Sequence, residues 1–128
     1  KLKEINDTYG HLVGDRALVH LSNQISSVLR KSDTFARFGG DEFCIILNET
    51  KNIDGNLIVI QKIQEALMIP LKLDKGLEIK VQVSMGIAIY PHNGISINEL
   101  IKHADKAMYE AKQEHCGYRF YDDLGILQ

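Results

Sequence analysis

Cysteine is scarce in this chain of 128 residues: there are only Cys44 and Cys116, at no metal-binding or redox spacing. Cys44 stands in an apolar run and reads as a small buried hydrophobe, which favours a reducing cytoplasm. There is no excess of positive charge either. Fifteen Lys and Arg against seventeen Asp and Glu leave a formal net charge of −2, so a DNA or RNA polymer is not an expected partner. A nucleotide, which needs only a few placed groups, is not excluded. No run reaches eighteen apolar residues, so no membrane-spanning helix is expected. No signal peptide, internal repeat, low-complexity tract or linker is visible. The five histidines are scattered, with no pair at metal-ligand spacing on a helix, and no zinc site is read.

What is present suits one domain with a single modest core. Apolar residues at 45% and charged residues at 25% are near globular averages, which argues against disordered and fibrous classes. From about Gly14 to Arg30, Leu18, Leu21, Ile25 and Val28 recur on one face and predict a helix. Phe35 to Phe38 and Phe43 to Leu47 read as strands joined through Gly39-Gly40-Asp41-Glu42, since glycine accepts the positive φ of a tight turn. A second helix is expected over Asn56 to Met68, ended by Pro70. Alternation from Leu77 to Tyr90 predicts the longest strand, with Ser84, Gly86 and Ala88 leaving room for close packing on the second face. Ser96 and Glu99 form a capping box ahead of a third helix carrying Leu100, Ala104, Ala107, Met108 and Ala111, with Gly117 just past its end. Tyr118 to Tyr121 suits an edge strand. The expected class is α/β, an α+β sandwich with helices flanking a mostly antiparallel central sheet.

Two stretches carry candidate chemistry. In Arg37-Phe38-Gly39-Gly40-Asp41-Glu42-Phe43, two adjacent carboxylates follow two glycines at a hairpin tip. Hard cations take oxygen ligands, and backbone without a Cβ lets a triphosphate come close. The same residues equally make a solvated turn. Upstream, the polar stretch Lys3 to Asp15 feeds the first helix. Asn6 and Asp15 together suit the Watson–Crick edge of guanine, whose N1–H and 2-amino group need acceptors. Asn6 and Asp7 would also serve as caps of the helix that follows.

Four blocks, in order and spread over nearly the whole chain, resemble the GGDEF family of diguanylate cyclases. They are Lys-x-x-Asn-Asp-x-x-Gly-His-x-x-Gly-Asp from Lys3, Phe38-Gly39-Gly40-Asp41-Glu42-Phe43, Ser84-Met85-Gly86-Ile87-Ala88, and Ala104-Asp105-Lys106-Ala107-Met108-Tyr109-Glu110-Ala111-Lys112. The resemblance implies a fold like that of nucleotidyl cyclases and polymerase palms, and condensation of two GTP into cyclic di-GMP with release of pyrophosphate.

It further implies that Asp41 ligates Mg²⁺ (or Mn²⁺) and accepts the proton of the attacking 3′-hydroxyl, with Glu42 beside it. Lys3 would stabilise phosphate charge, Asn6 and Asp15 would read guanine with His11 nearby, Gly39 and Gly40 would lie against substrate, and Lys112 would reach the terminal phosphates. Arg30-x-x-Asp33, five residues before the signature, corresponds to the family's inhibitory site for cyclic di-GMP. Without the family, that pair reads as a helix-end arginine and a turn aspartate. The implied catalyst is a homodimer with one GTP per subunit, attached to sensory or phosphodiesterase domains, in the cytoplasm or on the cytoplasmic side of a membrane-anchored protein.

The sequence also departs from the family. The first metal aspartate belongs to a strand preceding the Lys3 position, so the chain is expected to be one domain over 1–128 without the family's first helix and strand. By itself it would then form no detectable product. Leu2 replaces the usual Phe, and His115-Cys116-Gly117 replaces Gly-Arg-Asn, removing an arginine that holds phosphates. Arg119 is the candidate substitute. A binding module that holds GTP or cyclic di-GMP without turnover is the alternative.

Overall fold

The computed structural model describes residues 2–40, 42–48 and 53–121. Helices and strands mix as the α+β class requires, in two compact units, Lys1–Gln82 and Val83–Gln128.

In the first unit, α1 (Leu2–Tyr9) and α2 (His11–Ser26) pack together, and α2 also packs on α3 (Ile53–Leu67). The polar stretch ahead of Gly14 is therefore helical rather than a lead-in. Ile5 is its one buried residue, closing on Ala17 of α2 and Ile79 with Val13, Leu71, Leu73 and Val81 around them. Gly10 breaks the two helices apart with φ 93°, and Gly14 N–H bonds back to its carbonyl at 3.1 Å. No side chain caps α2, so neither Asn6 nor Asp7 has the capping role their position suggested. The buried stripe of α2 is Gly14, Ala17, Leu21 and Ile25; Leu18 and Val28 are only half-buried.

Three α2 side chains at four-residue spacing reach carbonyls of the chain at and beyond the end of α3. Arg16 donates to Lys72 O at 3.4 Å, His20 Nε2 to Ile69 O at 2.8 Å and Gln24 to Ala66 O at 2.9 Å. Carbonyls at a helix end lack intrahelical donors, and here a neighbouring helix supplies one of them. These bonds fix the rotation of α2 about its axis.

The first unit also holds two antiparallel pairs. β1 (Thr34–Gly39) and β2 (Glu42–Ile46) form the expected hairpin, with Ala36 opposite Cys44 and Phe35 stacked on Phe43 at 5.4 Å. A bulge between Arg37 and Gly39 places Phe38 out of register, and Phe38 is exposed. Cys44 is half-buried, and burial pushes its thiol pKa up, away from thiolate reactivity. β3 (Leu71–Lys72) and β4 (Glu78–Ile79) pair around a 3-10 turn at Asp74–Gly76.

The long strand expected over Leu77 to Tyr90 is instead two short pieces, β4 and β5 (Met85–Ile87). Alternation describes side chains, but a strand also needs a neighbouring backbone. Residues 80–84 have no ladder partner among the described residues.

In the second unit, β5 is joined to β6 (Tyr118–Phe120) through α4 (Ile97–Gln113), and the two strands run parallel, Gly86 beside Arg119. This is the one parallel pair among the described strands, and β6 falls where the last edge strand was expected. The small residues of the 84–88 segment do admit an element: α4 packs on β5, and a Cβ on Gly86 would lie 1.9 Å from Ala104 O. Ser96 Oγ accepts from Glu99 N–H at 3.2 Å as the capping box predicted, although Glu99 reaches back to Ile95 N–H rather than to Ser96 N–H. Past α4, His115 adopts φ 56°, with its N–H on Lys112 O and Cys116 N–H on Ala111 O. That is a Schellman closure built on a histidine, two residues before the glycine expected to end the helix.

Candidate active site and GGDEF hairpin

Sequence reasoning placed eleven residues at the site, and the two compact units divide ten of them, Lys112 alone lying in the second. Asp41 lies outside the described residues.

Lys3 and Asn6 stand on α1, with Lys3 exposed and Asn6 half-buried. His11 opens α2, and Asp15 is exposed one turn further on. Among the described residues, none of these four side chains has a hydrogen-bond or ion-pair partner. Asn6 lies against Gly14, the residue immediately before Asp15: an ideal Cβ on Gly14 would fall 1.7 Å from Asn6 Oδ1. The α1–α2 corner thus brings the two guanine-reading candidates into one neighbourhood. Asp15 also borders a shallow open depression shared with Arg16, Val19, His20, Asn23 and Leu71. A polar group without an internal partner remains available to a ligand, whereas a satisfied one would have to exchange bonds.

At the hairpin tip Gly39 has φ 153° and Gly40 φ 51°, conformations that L side chains rarely adopt. Glu42 is exposed at the start of β2. Arg37 turns its guanidinium onto the tip, where Nε donates to Gly40 O at 2.8 Å and Nη2 shares the same acceptor. Sequence reasoning assigned Arg37 no role. Its only signal was a cation two residues before a glycine pair, and the bulge that lets it fold back is not written in the residue types.

A metal at the tip meets suitable donor chemistry in Glu42, a hard oxygen ligand on exposed backbone. Among the described residues no three His, Cys, Asp or Glu side chains converge on one point. Glu42 by itself fits a Mg²⁺ that keeps most of its water, not a closed protein cage.

Arg30 and Asp33 do come together. Asp33 accepts Arg30 N–H at 2.8 Å, Asn48 N–H at 3.3 Å and the Arg30 guanidinium at 3.4 Å. The same guanidinium bonds Asn48 O, and Asn48 Nδ2 bonds Ser32 O. The turn is therefore laced to the far end of β2 through Asn48, a residue with no signal in the sequence. Burial raises the Asp33 pKa, but the Arg30 N–H, the Arg30 guanidinium and the Asn48 N–H outweigh it and hold the carboxyl below its usual value. The Asp33 side chain is 2% exposed and that of Arg30 56%, so the guanidinium is the accessible half of the pair.

In the second unit Lys112 sits exposed in the last turn of α4, and its side chain has no partner among the described residues. Arg119 is not free. It lies 3.3 Å from Glu110 and also pairs with Glu114.

Residues 1–117 match the family model described as diguanylate cyclase, GGDEF domain, and the chain belongs to that family. Diguanylate cyclase TpbB of Pseudomonas aeruginosa is 37% identical over 131 residues, covering 100% of this chain and 30% of TpbB. The solved GGDEF domain of TpbB superposes with a TM-score of 0.90 at 36% identity, over 95% of this chain and 76% of that one. The GGDEF domain of DgcB from Caulobacter crescentus, solved in complex with c-di-GMP, gives 0.81 at 25% identity, over 95% and 70%. The chain spans about a third or less of the length of the curated relatives it matches.

Proposed function

We propose that this chain is the diguanylate cyclase module of a longer protein, condensing two GTP into cyclic di-GMP with release of pyrophosphate. The observation that carries the reading is the α1–α2 corner. Among the described residues, the Asn6 and Asp15 side chains have no hydrogen-bond or ion-pair partner there, just as guanine readers would have none. Lys3 supplies positive charge to the phosphates, and His11 stands at the same corner. Gly39 and Gly40 give the triphosphate a Cβ-free approach, and Arg37 holds that turn in shape. Asp41 and Glu42 would hold Mg²⁺ or Mn²⁺, which when bound neutralises phosphate charge. Asp41 would also accept the proton of the attacking 3′-hydroxyl, and Lys112 would meet the terminal phosphates.

Phosphoryl transfer of this kind asks for in-line positioning and charge neutralisation more than covalent chemistry. With one GTP per subunit, each 3′-hydroxyl must meet the α-phosphorus on a second copy, so the working state is a homodimer. Arg30 and Asp33 form the product-binding site, supported by the exposed guanidinium and the preformed turn. Sensory or phosphodiesterase domains would occupy the rest of the longer protein, in the cytoplasm or on the cytoplasmic side of a membrane.

One observation favours a second reading, a module that binds GTP or cyclic di-GMP without turnover. Cys116 takes the place of the phosphate arginine, and Arg119 is engaged by Glu110 and Glu114. Calorimetry with Mg²⁺ tests the common part: GTP should bind at least about ten-fold more tightly than ATP, because adenine leaves acceptors unpaired. Equal affinities overturn the enzyme reading and rule out GTP as the module's ligand. Cyclic di-GMP formed by the longer protein and abolished by Asp41→Ala selects the enzyme; GTP binding without product selects the module.

A further inference from the structure

Two glycines stand four residues apart at the α1–α2 corner, and they do different work. Gly10 has φ 93° and nothing within 4 Å of the position a Cβ would take, so it serves the bend of the chain. Gly14 is buried inside α2 and has ordinary helical backbone, where a glycine costs stability relative to alanine. Its conformation does not require glycine. Its surroundings do.

An added Cβ on Gly14 would fall 1.7 Å from Asn6 Oδ1, 2.9 Å from Asn6 Cγ and 3.5 Å from Leu2 Cδ1. All three are side-chain atoms. A methyl at this point is accommodated by rotating a carboxamide, not by parting two helices. No hydrogen bond among the described residues holds that carboxamide, so the slot left by Gly14 is what selects its orientation.

We propose that Gly14 is a specificity-determining positioning residue, which holds the Asn6 carboxamide in the orientation that recognises the guanine of a bound nucleotide. The inference rests on the reading of Asn6 as a guanine contact. It adds that the discrimination is set by an absent methyl on a neighbouring helix, through a side chain with no hydrogen bond among the described residues.

The test is a double-variant cycle in the protein with Mg²⁺, using Gly14→Ala, Asn6→Ala and the two combined. GTP and ATP affinities come from calorimetry and Tm from thermal unfolding. Gly14→Ala is expected to bind GTP about ten-fold more weakly, to bind ATP as the parent does, and to keep the parent Tm or exceed it. Asn6→Ala should lose a similar factor for GTP, and the combined variant should be no worse than either single one. If Asn6→Ala binds GTP as the parent does, the reading of Asn6 fails and the inference with it. If only Gly14→Ala binds GTP normally, the reading stands and the inference is overturned. Losses that multiply in the combined variant also overturn it. Should Gly14→Ala lower Tm, recovery in the Asn6→Ala background confirms that the methyl strikes Asn6; no recovery places the clash elsewhere and refutes the proposal.

Discussion

Gly86→Ala should separate α4 from β5. A Cβ on Gly86 would lie 1.9 Å from Ala104 O, 2.3 Å from Met108 N and 2.9 Å from Met108 Cα, all backbone atoms of one helix. Comfortable separation begins near 3.5 Å, so the helix must retreat by about 1.5 Å or the strand must bend by as much. Neither can be absorbed by a rotamer change, in contrast to Gly14. Overpacking of this kind costs about 3 kcal/mol, the upper end for an inserted methyl. In a domain of this size that corresponds to a fall in Tm of about 10 °C. Urea unfolding should show a lower midpoint at unchanged slope, since the surface exposed on unfolding hardly changes. The same displacement moves Lys112 in the last turn of α4, which the proposed function sets against the terminal phosphates, and a misplacement of about 1 Å in such a contact costs on the order of a hundred-fold in rate. On the proposed reading, cyclic di-GMP formation by the longer protein should fall much further than its folded fraction does. A Gly86→Ala protein within about 0.5 kcal/mol of the parent, at the noise of a surface substitution, would refute the packing argument.

Asp33→Ala should destabilise by about 1 kcal/mol at neutral pH, because Arg30 N–H and Asn48 N–H lose an acceptor in a turn that water can partly reach. The Asp33 pKa is lower folded than unfolded, so its stabilisation is present above pH 4 and is lost as pH falls through the folded value. Urea midpoints of parent and variant should converge in acid; a gap constant down to pH 2 would contradict this. His115→Gly should raise stability by about 1 kcal/mol, since the αL conformation at φ 56° carries a penalty for a side chain with a Cβ; an unchanged Tm would count against it. Titration of Arg30→Ala with cyclic di-GMP should show affinity at least about ten-fold below the parent, because a charged, forked donor is removed, and unchanged affinity would move the product site elsewhere.

Local chemistry was enough to give the amphipathic helices α2, α3 and α4, the glycine hairpin and the Ser96 cap. Each rests on residues within one or two turns of one another: the apolar stripe of α2, the positive φ of Gly39 and Gly40, the Glu99 N–H on Ser96 Oγ. The candidate site rests on residue types at given spacing, including the carboxylates of the hairpin and the Asn6/Asp15 pair. Tertiary structure decided what depends on a distant backbone. Residues 80–84 alternate as a strand should, yet form none, because side-chain pattern cannot supply the ladder partner they need. Leu2–Tyr9 buries Ile5 against Ala17 on the next helix and against Ile79, far along the chain. Asn48 stitched to the Arg30–Asp33 turn, Arg119 taken by Glu110 and Glu114, and Gly14 making room for Asn6 join separate elements, while the bulge turns Arg37 back onto Gly40 O within its own hairpin. A residue's type states what it can bond. Only the folded chain determines which of those bonds are already used, and so which groups remain for a ligand.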